Sequence, residues 1–366
     1  MRRGICSLMV LFIFMSLARA DDAEDRSAAY VKKIGGRLYR AEGKPGKPVV
    51  AVDLVFAKFT DADLNKLAGL QQLEKLDLNN TRVGDAALRE VAALKKLEEL
   101  TLSGTKVTPA GLKALAPLKQ LKTISFNVKQ IDDATLQTLR KMGMLHALNG
   151  TGTKIFGQRP KNSSEVVTLA FWGCQITDKG LKEFAEFPKV ERIYLNETKI
   201  TDAGLKELAR FPKLKFLSLG KTSITDEGLK ELAGFDQLKS LFLDSTKVTS
   251  KGLEALTNLR LEELRLGETA VGDAGLRYVG AQLGLRELML NGTRVTNAGM
   301  KELVELKKLG FLDLRNTKVG DAGVRELKGL NKLDKLHLDS SEVTKAGVAE
   351  MKKSLPNCGI VHNTAK

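Results

Sequence analysis

The sequence contains few of the residues that enzyme centres most often use. Histidine and cysteine each occur only three times in 366 residues. His146, His337 and His362 are far apart along the chain, and none stands in a metal-ligand or nucleophile motif. A glycine-rich phosphate-binding loop is also missing. The sequence therefore predicts a protein that is not an enzyme and that has no cofactor or metal ion.

The small number of cysteines excludes a fold held together by many disulfides. Cys6 lies in a predicted signal peptide, and Cys174 and Cys358 are separated by most of the repeats described below. Coils far apart in a repeat array do not touch, whereas a disulfide needs Cα atoms within about 7 Å of each other. We therefore expect both cysteines to be buried as small apolar side chains and the stability to come from an apolar core.

Long hydrophobic runs are also missing, apart from one near the N-terminus. Two arginines precede an apolar run from Ile5 to Leu17, and small residues flank Arg19. This run is shorter than the roughly 20 residues that cross a bilayer as a helix. We interpret residues 1–20 as a cleavable signal peptide. This interpretation predicts a secreted, periplasmic or cell-envelope protein with no transmembrane segment after cleavage.

Positive charges outnumber negative ones. Lys and Arg number 59 against 44 Asp and Glu, for a formal net charge of +15. Such an excess favours anionic partners. Many of the lysines, however, stand beside glutamates on predicted helix surfaces, as in Lys206-Glu207 and Lys230-Glu231. These pairs indicate a solvated surface rather than a binding site.

A repeat occupies most of the chain. The pattern Leu-x-x-Leu-x-Leu-x-x-Thr-x-Val-Thr-Asp-Ala-Gly-Leu recurs with a period of 24 residues, as from Thr198 to Thr222 and on to Thr246. The alternating leucines have the period of a short strand, and the later leucines have the spacing of a helix. Each coil is therefore predicted to contain a strand, a turn, a helix and a return segment. The threonine position falls at Ala57, Thr81, Thr105, Lys129, Thr153, Cys174, Thr198, Thr222, Thr246, Thr269, Thr293, Thr317 and Ser341.

One coil shows how the pattern predicts local structure. Ile193 and Leu195 point inward from the strand, and Thr198 turns the chain with a hydroxyl available to loop amides. Thr201 or the residue after it caps the helix, because a side-chain oxygen there accepts from free N–H groups. Gly204 costs about 1 kcal/mol relative to alanine inside a helix. Its recurrence indicates close packing of the helix on the strand.

These residues resemble the leucine-rich-repeat family, in particular the 24-residue Thr-x-Val-Thr-Asp-Ala-Gly-Leu class of exported planctomycete-type bacterial proteins. The resemblance covers about residues 49–360. It implies an α/β fold, a right-handed solenoid or horseshoe with a concave parallel sheet and convex helices, similar in plan to ribonuclease-inhibitor-like proteins. The family implies binding in general and names no ligand.

Departures from the repeat predict the domain organisation. Residues 21–48 follow the signal peptide as an N-terminal cap, because an open terminal coil would expose apolar surface. Residues 49–148 form a first block of repeats, and 166–361 form a second block with the C-terminal cap. Between them, residues 149–165 contain turn formers where a helix is expected, so this coil is predicted to lack its helix. An eroded repeat is favoured over a functional insertion.

The concave face is the predicted binding surface. The third, fifth and seventh positions of the Leu-x-x-Leu-x-Leu-x-x-Thr pattern face it. In the first five coils these positions hold mostly small or polar residues, whereas aromatic side chains appear from the sixth coil onward. Only 5% of the residues are aromatic, with a single tryptophan. The predicted partner-binding residues are Trp172, Tyr194, Phe216, Phe242, Arg265, Met289 and Phe311.

Adjacent strands lie about 4.8 Å apart, so the first four of these rings are predicted to form one contiguous stripe. Exposed aromatic clusters are typical of binding hot spots. Two alternatives remain: the rings pack on one another to dry the inside of the curve, or the register is off by one and they belong to the core. Charged positions flank the stripe, which suits a protein or peptide ligand: Arg192, Asp244, Glu263, Glu287, Asp313 and Arg315.

A second candidate surface follows the threonine position. A basic residue comes directly after it in many coils, and we call this set the basic rim: Lys58, Arg82, Lys106, Lys154, Lys199, Lys247, Arg294 and Lys318. Such a rim could hold an acidic polysaccharide by releasing counterions. Solubility along a loop edge is the favoured interpretation. No nucleic acid is expected as a partner.

Two functions therefore follow from the sequence. The first is a non-enzymatic secreted or periplasmic protein that binds a protein or peptide on its concave face. The alternative is a structural or adhesive cell-envelope component that binds acidic glycans through the basic rim.

Overall fold

The computed structural model describes residues 22–152 and 159–363, which fall into two compact units divided between Glu165 and Val166. The predicted signal peptide and Lys154 lie outside the described residues. No helix within the described ranges is long and apolar enough to cross a membrane.

The first unit begins with a helix that covers the end of its sheet. Tyr30 on this helix donates a hydrogen bond to Asp63 at 2.6 Å, and that bond, together with burial, raises the pKa of the phenol to about 12. The first five strands of the unit form a sheet in chain order, in which the first strand is antiparallel to the second and the others are parallel. The helices are α1 (22–33), α2 (Ala87–Val91), α3 (Pro109–Leu112) and α4 (Asp133–Lys141). The strands are β1 (Arg37–Arg40), β2 (Val49–Asp53), β3 (Lys75–Asp77), β4 (Glu99–Thr101), β5 (Thr123–Ser125) and the two-residue β6 (Thr151–Gly152). The 3-10 segments are Asp61–Leu67, Lys113–Leu115, Val128–Gln130, Leu145–Ala147 and Ser163–Glu165.

The second unit carries a parallel sheet whose strands follow one another in chain order from β7 to β15. The strands are β7 (Thr168–Ala170), β8 (Arg192–Tyr194), β9 (Phe216–Ser218), β10 (Ser240–Phe242), β11 (Glu263–Arg265), β12 (Glu287–Met289), β13 (Phe311–Asp313), β14 (Lys335–His337) and β15 (Gly359–Val361). The α-helices are α5 (Asp178–Leu181), α6 (Asp202–Leu205), α7 (Asp226–Lys230), α8 (Asp273–Gly280), α9 (Asn297–Met300), α10 (Asp321–Glu326) and α11 (Lys345–Ser354). The 3-10 segments are Lys182–Glu186, Lys206–Arg210, Gly252–Leu256, Lys301–Leu303 and Leu327–Gly329.

Each coil buries the leucine positions of its strand and helix against the neighbouring coils. In β8, Ile193 is buried, whereas its sequence neighbours are not: Arg192 is exposed and Tyr194 is half-buried. Leu205 and Leu208 close the same layer from the helical side. Burying a side chain of this size contributes about 1.5–3 kcal/mol. Because the coils repeat the arrangement, the core of each unit is a continuous column of aliphatic side chains, joined by buried phenylalanines such as Phe171 and Phe184.

The helical part of a coil is shorter and tighter than the sequence pattern predicts. Helix α6 is one turn long and continues directly as the 3-10 segment Lys206–Arg210. A 3-10 turn rises more steeply per residue than an α-helix, so the chain crosses the back of the coil with few residues. The segment ends at Phe211, which is buried.

The threonine after each strand has a different partner from the one predicted. The Thr198 hydroxyl donates to the carbonyl oxygen of Leu195 at 2.6 Å instead of accepting from loop amides. The same bond recurs at Thr222 and Thr246. These side chains are buried, so the bond supplies the hydrogen-bond partner that each buried hydroxyl needs. The prediction about loop amides is wrong, because the turn presents a carbonyl to the hydroxyl.

An aspartate near the start of many of the helices connects successive coils, and Ser250 and Asn297 take its place in two coils by accepting from the N–H groups of Gly272 and Gly320. Asp202 accepts from the backbone N–H of Thr225 at 2.8 Å and from its hydroxyl at 2.6 Å. The sequence predicted that Thr201 or Asp202 would cap its own helix. Thr201 is indeed the N-cap residue, but its side chain makes no cap bond, and Asp202 bonds the next coil. We call this set of bonds the aspartate ladder; it includes Asp85 to Thr108, Asp178 to Thr201, Asp226 to Thr249, Asp273 to Thr296 and Asp321 to Thr344.

The aspartate ladder also explains the glycine that recurs inside the helices. A Cβ atom at Gly228 would overlap the Oδ1 atom of Asp202, and one at Gly204 would overlap the Oδ1 atom of Asp178. Neither glycine has a positive φ. The glycine is therefore required by the carboxylate of the preceding coil. The glycine marks a close contact, as predicted, but the contact is with the carboxylate of the aspartate ladder and not with the strand.

This arrangement predicts a specific coupling between Asp202 and Gly228. Asp202→Ala should lower the free energy of unfolding by about 1–3 kcal/mol, because Thr225 loses two bonds to a charged acceptor. Gly228→Ala should cost about 1–3 kcal/mol through overpacking. In the double variant the clash is gone, so the loss should be clearly smaller than the sum. Urea unfolding measures all three variants.

Asp236→Ala is the matched control, since Asp236 is exposed and should be nearly neutral. Strictly additive losses for Asp202 and Gly228 would contradict the explanation of the glycine.

Candidate functional site

The candidate site lies on the open face of the second unit's sheet, the face opposite the core. The third, fifth and seventh positions of each strand pattern lie there in register. Arg192 pairs with Phe216, and Phe216 pairs with Ser240. In the next row along the strands, Phe242 pairs with Arg265. Side chains from successive coils therefore stand beside one another at strand spacing.

Three rings and one guanidinium group on this face make direct contact, and we call them the ring cluster. The Tyr194 and Phe216 ring centroids are 4.5 Å apart, and those of Phe216 and Phe242 are 4.8 Å apart at 75°. The guanidinium carbon of Arg265 lies 3.8 Å from the Phe242 centroid. Edge-to-face ring pairs contribute about 0.5–1.5 kcal/mol beyond their buried area. A cation over a ring adds about 0.5–2 kcal/mol.

The ring cluster is partly buried by its own members. Phe216 is only 8% exposed, because Tyr194 and Phe242 cover its two sides, whereas those two rings remain half-buried. Burial also raises the pKa of the Tyr194 phenol above its ordinary value. The alternative in which the rings pack on one another therefore describes Phe216. Tyr194, Phe242 and Arg265 keep surface that a partner can reach.

Trp172 does not belong to this cluster. Its side chain is 65% exposed, and the ring contacts among the described residues do not include it. Trp172 occupies the seventh position, beyond the end of β7, whereas Tyr194 occupies the fifth position of β8. Two residues along a strand correspond to about 6.6 Å. The prediction of one contiguous stripe of four rings is therefore wrong, because the tryptophan is displaced along the strand direction.

Met289 and Phe311 lie further along the same face and contact other groups. Met289 is placed between Arg265 and Asp313 by the strand register. The Phe311 ring meets the His337 imidazole edge-on at 5.2 Å. Met289 and Phe311 are therefore neighbours of the ring cluster on the open face, outside its ring contacts.

Charged groups complete this part of the face. Asp313 is 0% exposed and accepts two hydrogen bonds from the Arg315 Nε atom, at 2.9 and 3.0 Å, and one from an Nη2 atom at 2.6 Å. A buried carboxylate needs such a partner, because an unpaired one would cost several kcal/mol. Burial lowers the pKa of His337 despite the negative charge of Asp313 beside it. Burial raises the pKa of the Asp244 carboxyl, although this carboxyl accepts a hydrogen bond from the Gly267 N–H.

Several polar atoms on this face are buried without a hydrogen-bond partner. They are Thr168 Oγ1, Arg265 Nε and both ring nitrogens of His337. An unsatisfied buried polar atom costs about 1–3 kcal/mol, and such atoms in native structures call for an explanation. Packing alone therefore does not account for the composition of this face.

The open face of the first unit is chemically different. Lys75 and Glu99 are paired in register and form an ion pair at 2.8 Å. Asp77 accepts from the N–H of Asn79 at 2.9 Å, and Asn79 accepts from Ser103 at 2.8 Å. These groups pair with one another, although the Thr101 hydroxyl on this face is also buried without a hydrogen-bond partner. This face carries no ring cluster among the described residues.

The basic rim residues within the described ranges are all exposed. Lys199, Arg294 and Lys318 each form a backbone bridge to the preceding coil, so they lie along one edge of the second unit. Ser223 and Ala270 interrupt the positive charges at the same position. The ion pairs among the described residues include none of the rim cations, which therefore face solvent.

The described residues contain no group of three or more His, Cys, Asp and Glu side chains that could hold a metal ion. Burial lowers the pKa of His146 in the first unit, and the Nε2 atom of His362 lies 2.8 Å from the Val343 carbonyl oxygen. Cys174 and Cys358 are both buried. Each of these histidines and cysteines is packed in the fold apart from the others.

Comparison with known proteins agrees with this architecture. The family described as Leucine Rich repeat matches residues 93–116 and 212–233. An internalin from Listeria monocytogenes superposes with a TM-score of 0.60 at 20% identity, covering 94% of this chain and 95% of the internalin. A leucine-rich-repeat protein of Leptospira interrogans superposes with a TM-score of 0.53 at 20% identity, covering 81% and 80%. No curated protein matches the sequence.

The class of protein is therefore defined: the chain has the leucine-rich-repeat fold, with an α/β solenoid architecture. The fold class predicted from the sequence is confirmed. At 20% identity the likeness concerns the fold alone, and the narrower 24-residue bacterial class stays a prediction.

The buried carboxylate of Asp313 predicts an unequal response of two arginines. Arg315→Met should lower the free energy of unfolding by about 2 kcal/mol or more, because it leaves Asp313 buried without its cation. Arg325→Met should have almost no effect, because Arg325 pairs with Glu350 on the surface. Urea unfolding at neutral pH compares the two. Equal effects would show that Asp313 is hydrated in solution.

Proposed function

We propose that this chain is a non-enzymatic protein that binds a protein or peptide partner on the open face of its second unit. The observation that carries the proposal is the ring cluster, in which Tyr194, Phe216, Phe242 and Arg265 contact one another on an open face. Repeat solenoids use this face as an extended binding surface. The remaining predicted contacts are Met289, Phe311 and the outlying Trp172.

The chemistry of the ring cluster supports a protein partner. Tyr, Trp and Arg are enriched among residues that dominate the energy of protein interfaces. Rings held by their neighbours lose little side-chain freedom on binding, which lowers the entropic cost of association. The ring cluster is such a surface, because Phe216 supports the two rings that remain accessible.

We further propose a secreted, periplasmic or cell-envelope location, on the basis of the predicted signal peptide at residues 1–20. The Thr-x-Val-Thr-Asp-Ala-Gly-Leu repeat class of exported bacterial proteins supports the same location. A protein that meets partners outside the cytoplasm needs a stable scaffold, and the aspartate ladder supplies contacts between coils that do not depend on disulfides.

The proposal predicts that ring removal abolishes partner capture. The immobilised protein should recover a partner from an envelope extract, and Trp172→Ala with Phe242→Ala should reduce recovery at least about tenfold, as expected for the loss of hot-spot residues. Quantitative mass spectrometry of the captured proteins provides the measurement. Phe242→Ala also removes the contacts with Phe216 and Arg265, so the unfolding midpoint of the variant is measured alongside, and capture is compared at a temperature at which both proteins are folded.

The matched control is Tyr278→Ala with Arg277→Ala. This pair has the same kind of chemistry, with the guanidinium carbon 4.4 Å from the ring centroid, but it lies on α8. Recovery should be unchanged in this control. A partner captured equally well by the ring variant and the native protein would refute binding at the ring cluster.

The basic rim supports a second candidate function, adhesion to acidic glycans. Lys199, Lys247, Arg294 and Lys318 in the second unit, and Lys58, Arg82 and Lys106 in the first, are exposed cations outside the ion pairs of the described residues. Lys154 completes the predicted set. A row of like charge can hold a polyanion through counterion release.

This candidate predicts retention on an acidic polysaccharide column that falls steeply as salt rises. Lys199→Glu with Lys247→Glu should elute at clearly lower salt than the native protein, while partner capture by the ring cluster stays unchanged. Lys206→Glu with Lys230→Glu is the control, because it makes the same charge change on the helical side. Equal shifts for both double variants would indicate a response to net charge alone.

A further inference from the structure

A groove runs along the edge of the second unit's sheet where β12, β13 and β14 begin. Its lining includes Arg286, Met289, Lys308, Phe311, Lys332 and Lys335. The sequence pattern singled out Met289 and Phe311 but not the four cations, which stand at or before the starts of the strands. Their proximity depends on how the return segments of three coils approach one another.

Gly310 opens this groove. It occupies the second position of its coil, where Arg286 precedes it in the coil before and Asp334 follows it in the coil after. Its N–H donates to the Arg286 carbonyl, and its own carbonyl accepts from Asp334, so the backbone edge is continuous. Every other coil has a larger residue at this position. The missing side chain leaves a gap in the row.

The fold does not require a glycine at this position. A Cβ atom on Gly310 would meet nothing nearer than 3.6 Å, which is ordinary van der Waals contact. Its φ is not in the left-handed region. Gly228, in contrast, has no room for a Cβ beside Asp202. Neither packing nor backbone conformation therefore requires a glycine at position 310. What the glycine provides is the open space of the groove.

The groove carries an excess of unpaired positive charge. The ion pairs among the described residues include neither Lys308 nor Lys332, and both are exposed. Lys335 lies over Phe311, with 5.9 Å between its Nζ atom and the ring centroid. Arg286, in contrast, forms an ion pair with Glu262, with 3.6 Å between its Nε atom and the carboxylate oxygen. Cations placed around a cleft raise the local concentration of an anionic ligand.

The floor of the groove is apolar and leads toward the ring cluster. Met289 and Phe311 provide carbon surface between the cations. Met289 is paired in register with Arg265, the cation of the ring cluster. Two acids, Glu287 and Asp334, also line the groove. A uniformly charged polyanion would meet these acids unfavourably and leave the floor unused.

We propose that this groove binds an acidic peptide segment that places one apolar side chain on Met289 and Phe311, with its carboxylates beside Lys308, Lys332 and Arg286. This inference rests on the proposed protein-binding function and names the chemistry of the partner. Backbone amides of a peptide can also face Glu287 and Asp334, which a chain of carboxylates cannot do. The segment lies alongside the ring cluster and forms the edge of the same interface.

The test uses defined probes. A short fluorescein-labelled peptide of Asp and Glu around one Phe is compared with the same peptide carrying Ser for Phe, with a Lys-for-acid version and with labelled oligogalacturonate. Fluorescence anisotropy gives Kd at low and physiological salt. The Phe-containing acidic peptide should bind at least about tenfold more tightly than the Ser version, because it alone uses the floor. The Lys version should not bind.

Two variants examine the groove directly. Gly310→Gln restores a side chain where neighbouring coils have one, and it should weaken the acidic peptide about tenfold through occlusion. Lys308→Glu with Lys332→Glu should weaken it by a similar factor at low salt and by less at high salt. Gly234→Gln, at an exposed glycine with open space around its Cβ, and Lys328→Glu, an exposed lysine outside the groove lining, are the controls. Both should bind the peptide normally.

Each remaining outcome overturns the inference. Equal binding of the Phe and Ser peptides and of oligogalacturonate would mean that the groove is a general polyanion surface. Peptide binding that survives both groove variants but is lost in Phe242→Ala would place the peptide on the ring cluster and leave the proposed function standing. If no peptide binds while the native protein still captures a partner from an extract, the groove proposal fails and the ring-cluster proposal does not.

Discussion

The bond between one coil's aspartate and the next coil's threonine is the interaction on which the rest of this structure depends. Asp202 accepts both the N–H and the hydroxyl of Thr225, which fixes the height and rotation of each coil on the one before. The carboxylate then excludes any side chain larger than hydrogen at Gly228. Where this link recurs between successive coils of the second unit, the strands start at equivalent positions and stay in register.

That constraint separates the residues that hold the fold from those that are free to vary. The leucines, the threonine and the aspartate of each coil are committed to neighbouring coils. The third, fifth and seventh positions are not, since their side chains leave the sheet on the side opposite the core. In the first unit these positions form polar contacts, as between Lys75 and Glu99. In the second unit they form the ring cluster.

The period of the repeat made much of this predictable. A 24-residue spacing with alternating leucines identifies the fold, the strands and the open face, because an internal period of this length indicates a solenoid and a two-residue burial period indicates a strand. Contacts between coils are harder to predict from the sequence. Trp172 follows β7 and Tyr194 lies in the adjacent strand β8, and this shift of two positions along the strand direction separates their rings. The direction of the Thr198 hydroxyl depends on the turn within its own coil, and the groove beside Gly310 depends on where neighbouring coils approach one another.

The same residue type also stands in this chain for opposite physical reasons. At Gly228 a Cβ is excluded by the carboxylate of the preceding coil, so the glycine belongs to the fold. At Gly310 a Cβ would fit with ordinary contacts, and what the glycine provides is space in front of Met289 and Phe311. Where no residue of the fold occupies the space beside a glycine, a side chain of a bound partner can occupy it. Exposed cations around that space then determine which group is favoured, because an anionic segment gains from all of them while a cationic one is repelled.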